Sequence, residues 1–469
     1  MSLNGSRKST VVWKTDGIAE TQSEIVRISR TSLAFAIYGP EQLLPASQVL
    51  DGVEIYLDDT IAYTGRATVT QLIQAGTRTI CEIGLAAPGI IPTSDFEKGL
   101  GSGALAIYDT FFRRWQQEYR LSSEFKVVVA DVHSMLTEMQ AWLQSQEAQL
   151  EAKFGDNAII ERASLVESLA PRIIGTFNRQ HERFEELSSQ LDPELIGAHQ
   201  DFVRRLWHPL FLCTPFAHRT YTKPLGYAGD YEMMNMIHRN APEGATLYSQ
   251  IIHKLLVSQW PALSVRNRIS HLQARIIDEV ARVVRSGRQA QILNLGCGSA
   301  REVQGFIKES PLSDRASVTL LDFNEETLDH ASRQLAGLKL AHARQIQVNT
   351  HKISVQQLLR RGLKAEHADD PRYDMIYCAG LFDYLNLPTC KAVVDYFYRS
   401  LVPGGLVVVA NMDDSKPFRR FIEFVLDWHL IYRDGEEVGS FCPDHAREQA
   451  QVISEPSGVN IFLQVRKPL

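Results

Sequence analysis

The stretch Gln291-Ile292-Leu293-Asn294-Leu295-Gly296-Cys297-Gly298-Ser299-Ala300-Arg301-Glu302 decides the fold. It reads as a buried strand ending at Leu295, a tight turn at Gly296 to Gly298, and a helix opened by Arg301 and Glu302. Glycines at such a turn let a ligand reach the main chain without meeting a Cβ, at the carboxyl edge of the strands. A second apolar run ends in Leu320-Leu321-Asp322, and Asp322 lies 24 positions beyond Gly298. A carboxylate at the tip of the second strand is placed to accept two ribose hydroxyls. Further apolar runs at Asp374–Tyr377 and Leu406–Ala410 alternate with helical segments, which predicts a mostly parallel sheet covered on both faces.

The third position of the loop helps choose the ligand. A dinucleotide fold wants GxGxxG, so that the helix comes close to a pyrophosphate. Here that position is Arg301, which crowds such an approach. A sulfonium methyl donor carries no pyrophosphate and does not demand the glycine. Arg372-Tyr373-Asp374-Met375-Ile376-Tyr377-Cys378-Ala379-Gly380-Leu381 then reads as a fourth strand with a small-residue exit, and Leu401-Val402-Pro403-Gly404-Gly405-Leu406 as a turn feeding a fifth.

With these two phrases the region from about Gln289 to Leu469 resembles the class I S-adenosylmethionine-dependent methyltransferases. The resemblance implies seven strands with a terminal antiparallel hairpin, Gln451–Ser454 and Val459–Lys467, and S-adenosylmethionine as cofactor. It places Gly296, Cys297 and Gly298 at the methionine part, Asp322 at the ribose diol and Phe323 beside the adenine. Ser354 and Val355 fall where the adenine amino group is met, and Cys378, Ala379 and Gly380 flank the methionine. Many relatives carry an acid two positions before the first glycine; Asn294 replaces it, leaving Glu302 or Asp230 to meet the donor's ammonium group.

Upstream, Tyr221-Thr222-Lys223-Pro224-Leu225-Gly226-Tyr227-Ala228-Gly229-Asp230-Tyr231-Glu232-Met233-Met234-Asn235 is too rich in tyrosine, glycine and charge for helix-bundle core. It reads either as a surface turn between helices or as a lid supplying phenols and a carboxylate. Together with Asp427-Trp428-His429-Leu430-Ile431-Tyr432-Arg433 and Glu455-Pro456-Ser457-Gly458-Val459-Asn460 it resembles a bacterial methyltransferase family named for biosynthesis of 3-hydroxypalmitic acid methyl ester. That resemblance implies methyl transfer to the carboxylate of a 3-hydroxy fatty acid, giving a quorum-sensing ester. A carboxylate is already ionised at pH 7, so such a step needs placement rather than a strong base. Arg433 is the candidate clamp for it, with a surface salt bridge as its bland alternative. Tyr227 and Tyr231 are the other catalytic candidates, and Tyr221, Asp230, Tyr384 and Tyr432 the candidate substrate contacts.

The rest of the 469 residues frames this site. Residues 1–95 read as a small β-barrel, 104–285 as a helical cap or substrate domain, and 286–469 as the α/β Rossmann-like, seven-stranded methyltransferase domain. The stretch Val26–Phe35 resembles a PilZ-type barrel, but only Ser29 fits that family's D/N-x-S-x-x-G turn and no RxxxR precedes it, so a degenerate domain used for packing, dimerisation or partner contact is expected. Pro88–Gly103 reads as a linker. Phe125, Val128, Val129, Val132, Met135, Leu136, Met139, Trp142 and Leu143 form one apolar stripe of a long helix.

A net charge of −6 argues against a nucleic-acid partner, and no apolar run is long enough to span a membrane. Six cysteines without CxxC or zinc spacing fit a reducing, cytoplasmic setting and no metal site. The favoured partner is a small acyl substrate, with a homodimer through the N-terminal or helical domain as a further expectation. Two alternatives stand beside this reading: O- or N-methylation of another small metabolite, and a regulatory PilZ-like protein using the methyltransferase fold as scaffold.

Overall fold

The computed structural model describes residues 9–13, 21–29, 31–38, 44–57, 60–75, 78–86, 112, 120–155, 158–364 and 372–469. The expected linker at 88–103 lies outside them. The chain divides into two compact units: Met1–Ala228 with Pro242–Leu256 and Arg419–His429, and Gly229–Ala241 with Val257–Phe418 and Leu430–Leu469.

In the first unit, strands β1 (Thr10–Trp13), β2 (Thr21–Ile28), β3 (Ser32–Tyr38), β4 (Val49–Leu57), β5 (Thr60–Ala75) and β6 (Arg78–Leu85) close into an antiparallel barrel in the order β1-β2-β3-β6-β5-β4. Alternation sends Val11, Trp13, Leu33, Phe35, Val53, Ile55, Val69, Cys81 and Ile83 inward, and closure removes exposed edges. The Ser29 hydroxyl accepts from the main-chain N–H groups of Thr31 and Ser32, so it serves the β2–β3 turn.

Among the described residues seven α-helices follow, of which α5 and α7 belong to the second unit: α1 (Ser123–Phe154), α2 (Ala158–Ser189), α3 (Ile196–Phe211), α4 (Pro215–Thr222), α5 (Tyr231–Arg239), α6 (Leu247–Val257) and α7 (Trp260–Arg285). Ser122 caps α1, accepting from Phe125 N, and the stripe of Phe125, Val129, Val132, Leu136 and Leu143 is buried as its spacing predicts. Trp142 is not part of that stripe: it is 47% exposed. One residue before Leu143 it points about 100° away around the helix.

A charged knot sits in the first unit. Lys223 Nζ donates to Asp427 Oδ2 at 2.7 Å, Arg204 Nη2 to Asp427 Oδ1 at 2.8 Å, and His429 Nε2 lies 3.2 Å from the same oxygen. Lys223 and Asp427 both adopt left-handed backbone, φ 47° and 52°. The hydroxyl of Ser47, between β3 and β4, bonds both the N–H and the carbonyl of His429.

The second unit is built on β7 (Ala290–Leu295), β8 (Ala316–Asp322), β9 (Gln347–Lys352), β10 (Tyr373–Cys378), β11 (Leu401–Met412), β12 (Ala450–Ser454) and β13 (Asn460–Arg466). They form one seven-stranded sheet in the order β12-β13-β11-β10-β7-β8-β9. The pairs among β7 to β11 are parallel, while β13 runs antiparallel to β11 and β12. This is the sheet of the class I methyltransferase fold, with its terminal hairpin. Helices α8 (Arg301–Glu309), α9 (Glu325–Ala341), α10 (Val355–Lys364) and α11 (Leu387–Arg399) connect the strands; α12 (Arg419–Val425) belongs to the first unit and α13 (Gly435–Gly439) to the second.

Period-two alternation gives the sheet two cores. Ile292, Met375, Tyr377 and Val408 pack with Leu272 and Ile276 of α7 and Val303 and Phe306 of α8. Leu293, Leu295, Ile376, Cys378 and Val409 pack with Val393 and Phe397 of α11. Both faces are therefore covered, and the carboxyl edge of the parallel strands is left for the site.

Candidate active site

The loop after β7 turns because its glycines take conformations other residues resist: Gly296 has φ 69° and Gly298 φ 51°. Gly296 N and Cys297 N both donate to Leu321 O, at 2.8 and 3.1 Å, which ties the loop to the end of β8. A Cβ built on Gly298 meets nothing within 4 Å, so backbone angle rather than crowding requires the glycine. Asp322 closes β8 with its carboxylate turned to this loop: Oδ2 accepts from Gly298 N at 3.2 Å and Oδ1 from Asn324 N at 3.0 Å. Burial pushes the Asp322 carboxyl above its ordinary range, partly offset by the N–H groups of Asn324, Gly298 and Phe323. The Phe323 side chain beside it is 48% exposed.

Beneath the loop lies a buried polar layer. Glu302, in the first turn of α8, accepts from Asn294 Nδ2 and from the Tyr377 hydroxyl, both at 2.8 Å. Burial raises the Glu302 carboxyl, opposed by its hydrogen bonds and by the charge of Arg268. Asn294 Oδ1 is buried without a partner. At the exit of β10, Arg268 of α7 lies so close to Gly380 that a Cβ there would meet Nη2 at 2.9 Å. Asp383 follows, with Oδ1 accepting from Met412 N at 2.6 Å and Oδ2 4.0 Å from Arg268 Nη1.

The structure brings together Gly296, Cys297, Gly298, Asp322 and Phe323, and it separates several others from them. Cys297 Sγ sits 4.0 Å from Asp322 Oδ2, its thiol held well above the ordinary value by burial and then by Asp322 and Glu302. Cys378 points into the opposite core, so only its main chain faces the strand edge, and burial pushes its thiol to about 12. Ala379 packs on the α7 side, next to Gly380. Ser354 and Gln357 form a capping box at the start of α10, Gln357 N donating to Ser354 Oγ and Ser354 N to Gln357 Oε1. Val355 packs on the core beside this box.

Arg433 needs correction as a carboxylate clamp. Its Nη1 donates to Phe382 O at 3.0 Å and Asn411 Oδ1 at 2.7 Å, and Nη2 to Leu385 O at 2.5 Å. Three N–H donors of the fork are thereby given to the 382–385 turn and the end of β11, within the fold itself. Replacing Arg433 by Met should therefore destabilise the fold by about 2–4 kcal/mol, because buried acceptors lose their donors. Denaturant unfolding measures this, and an unchanged midpoint would contradict the bracing role.

Asp230 caps α5, accepting from Met233 N at 2.9 Å, and is 2% exposed, so its Oδ1 holds the start of that helix. The Tyr231 hydroxyl donates to Glu326 Oε1 at 2.7 Å and its ring stacks on His330 at 4.4 Å, which fixes it against α9. Tyr384 and Tyr432 are half-buried in the second unit. Tyr221 and Tyr227 belong to the first unit, where Tyr221 packs 4.5 Å from the His208 ring. Sequence reading missed Arg268 and Asp383. Arg268 lies on a regular amphipathic helix, and only the fold brings it beside Gly380.

Residues 293–407 match a family model described as a methyltransferase domain. No curated protein matches the chain. Among solved structures, a possible exported protein from Bordetella parapertussis is 16% identical, with 64% of this chain and 97% of that one covered at a TM-score of 0.41. The magnesium protoporphyrin IX methyltransferase ChlM from Synechocystis PCC 6803 with bound SAH is 12% identical, covering 53% and 97% at 0.32. The N-methyltransferase NodS from Bradyrhizobium japonicum WM9 in complex with S-adenosyl-L-homocysteine is 13% identical, covering 42% and 87% at 0.28. Sheet order and family match together define a methyltransferase domain of class I fold. Among the described residues, no helix is long and apolar enough to cross a membrane.

Proposed function

We propose that this chain is an S-adenosylmethionine-dependent methyltransferase whose acceptor is the carboxylate of a 3-hydroxy fatty acid. One observation carries the donor half of the reading: the Asp322 carboxylate, at the tip of β8, is turned onto the Gly296–Gly298 loop. The residues present fit the donor. Two left-handed glycines give its chain access to the backbone, a buried carboxylate suits a ribose diol, and Phe323 offers an apolar wall. The polar layer of Glu302 and Asn294, with its unpartnered amide oxygen, suits an ammonium group.

The bound donor supplies an electrophilic methyl group on a sulfonium sulfur. The chain then has to orient and to exclude water. Asp322 holds the ribose, the loop backbone holds the methionine end, and Tyr384 and Tyr432 are assigned to the acceptor side. An acceptor carboxylate is ionised at neutral pH, so the step runs on proximity without a strong base. We assign 1–95, 104–285 and 286–469 as barrel, helical and methyltransferase domains, the barrel being PilZ-like in origin, with a homodimer and a cytoplasmic setting.

The test combines two measurements. Calorimetry should show S-adenosylhomocysteine binding to the purified chain. Mass spectrometry of lipid extracts from cells producing it should show fatty-acid methyl esters, one CH2 heavier than the parent acids. Binding without such esters would move the acceptor to another small metabolite, and no binding by a folded sample would remove the enzyme reading.

A further inference from the structure

We propose that Arg268 is a carboxylate-binding residue, holding the carboxylate of a small-molecule ligand at the exit of β10. This rests on the methyl-donor reading above and adds to it the group that replaces Arg433 as anion anchor. A guanidinium carries five N–H donors in a planar fork suited to a carboxylate. Arg268 is 6% exposed, yet its contacts are poor: Nη1 reaches Asn460 Oδ1 at 3.5 Å and Asp383 Oδ2 at 4.0 Å, and Nε is buried with no partner. Buried arginines are ordinarily well paired, because an uncompensated charge out of water is expensive. Arg433, in the same unit, shows the ordinary case, with three bonds of 2.5 to 3.0 Å.

The setting points to an anion at this position. Gly380 has no Cβ, which lets the guanidinium lie directly against the strand exit. Burial and then the charges of Arg301, Arg268 and Arg266 hold His238 of α5 down at about 3, so these arginines share one cationic neighbourhood. Glu302, which feels the Arg268 charge, stands next to the unpartnered oxygen of Asn294. The layer therefore offers a donor fork on one side and acceptors on the other.

Two ligands bring a carboxylate to this edge: the amino-acid end of the methyl donor, and the fatty-acid acceptor. They are separated by probes. Calorimetry on wild type, Arg268→Met and Arg268→Lys would use S-adenosylhomocysteine and 5′-methylthioadenosine, which lacks the amino-acid end. It would also use 3-hydroxyhexadecanoate and its methyl ester on the nucleoside-loaded protein. If the donor's carboxylate is held, Arg268→Met weakens S-adenosylhomocysteine roughly 10- to 100-fold and leaves methylthioadenosine unchanged. If the acceptor's is held, both nucleosides bind as before and only the free acid weakens, not its ester.

Arg268→Lys, which keeps the charge but loses the fork, should lie between in either case and guards against a misfolded Met variant. Equal weakening of all probes in both variants, or none, would overturn the proposal. If wild type itself fails to bind S-adenosylhomocysteine the donor reading falls, and the comparison of free acid with ester on nucleoside-free protein decides Arg268 alone.

Discussion

Asp322→Asn should cost roughly 3 kcal/mol of S-adenosylhomocysteine affinity, about 100-fold, while the chain stays folded. A carboxylate accepting two ribose hydroxyls makes two charge-assisted hydrogen bonds, each worth about 1.5–3 kcal/mol. An amide of the same shape can accept with its oxygen only, and without the charge. It also presents an NH2 toward one of the two main-chain donors, Gly298 N or Asn324 N, that the carboxylate now satisfies. That conflict costs about 1–2 kcal/mol of stability, against the removal of a desolvated charge, so the melting temperature should move by only a few degrees.

Acidity gives a second signature of the same group. Burial raises the Asp322 carboxyl, so protonation begins above the ordinary carboxylate range as pH falls. Its neutral form is the one the fold prefers; wild-type affinity should decline as pH falls through that raised value while stability does not decline from this residue. In Asp322→Asn that slope disappears except for what Glu302, also raised by burial, contributes. Calorimetry over a series of falling pH checks this, and a variant that binds as tightly as wild type would remove Asp322 from the site.

The α/β half was legible from sequence because its signals are local. A strand ending at Leu295, two glycines at left-handed φ, and an acid closing the next strand are each written in a few adjacent residues, and β7, the loop and β8 follow them. The roles of polar side chains were not legible, because a motif does not say which of its atoms the fold will use. Asp230 and Ser354 are helix caps, Arg433 braces a turn, and the Tyr231 hydroxyl holds α9. The phrase Glu455–Asn460 is likewise a turn, with Glu455 Oε1 accepting from Val459 N and Asn460 N. Arg268 escaped notice for the opposite reason: its meaning depends on Gly380, 112 positions away in the chain.

Asp427→Asn is the substitution expected to damage stability most, by about 3–5 kcal/mol, the cost of breaking a buried ion pair from one side. Asparagine tolerates the left-handed backbone at φ 52°, so the loss isolates charge from conformation. What remains is Lys223, 2% exposed, with its ammonium facing an amide, and Arg204 deprived of the same partner. Burial alone would raise the Asp427 carboxyl, yet Lys223, Arg204 and His429 together hold it well below its ordinary value. A depressed carboxyl contributes stability that is present above about pH 4 and lost as pH falls through its folded value. Wild type should therefore lose stability in acid below that point, and the variant should lack this component.

Adding Lys223→Met to Asp427→Asn should recover part of the loss, since the double variant no longer buries an unpaired charge. Urea unfolding of the three variants measures the cycle, and an Asp427→Asn protein as stable as wild type would disprove the knot. Lys223 comes from the tyrosine- and glycine-rich phrase and Asp427 with His429 from the Asp-Trp-His phrase, the two segments whose residues looked most like acceptor chemistry. Their charges meet each other in the first unit. The cluster thus gives both phrases a structural role, with Lys223 and Asp427 each in left-handed backbone.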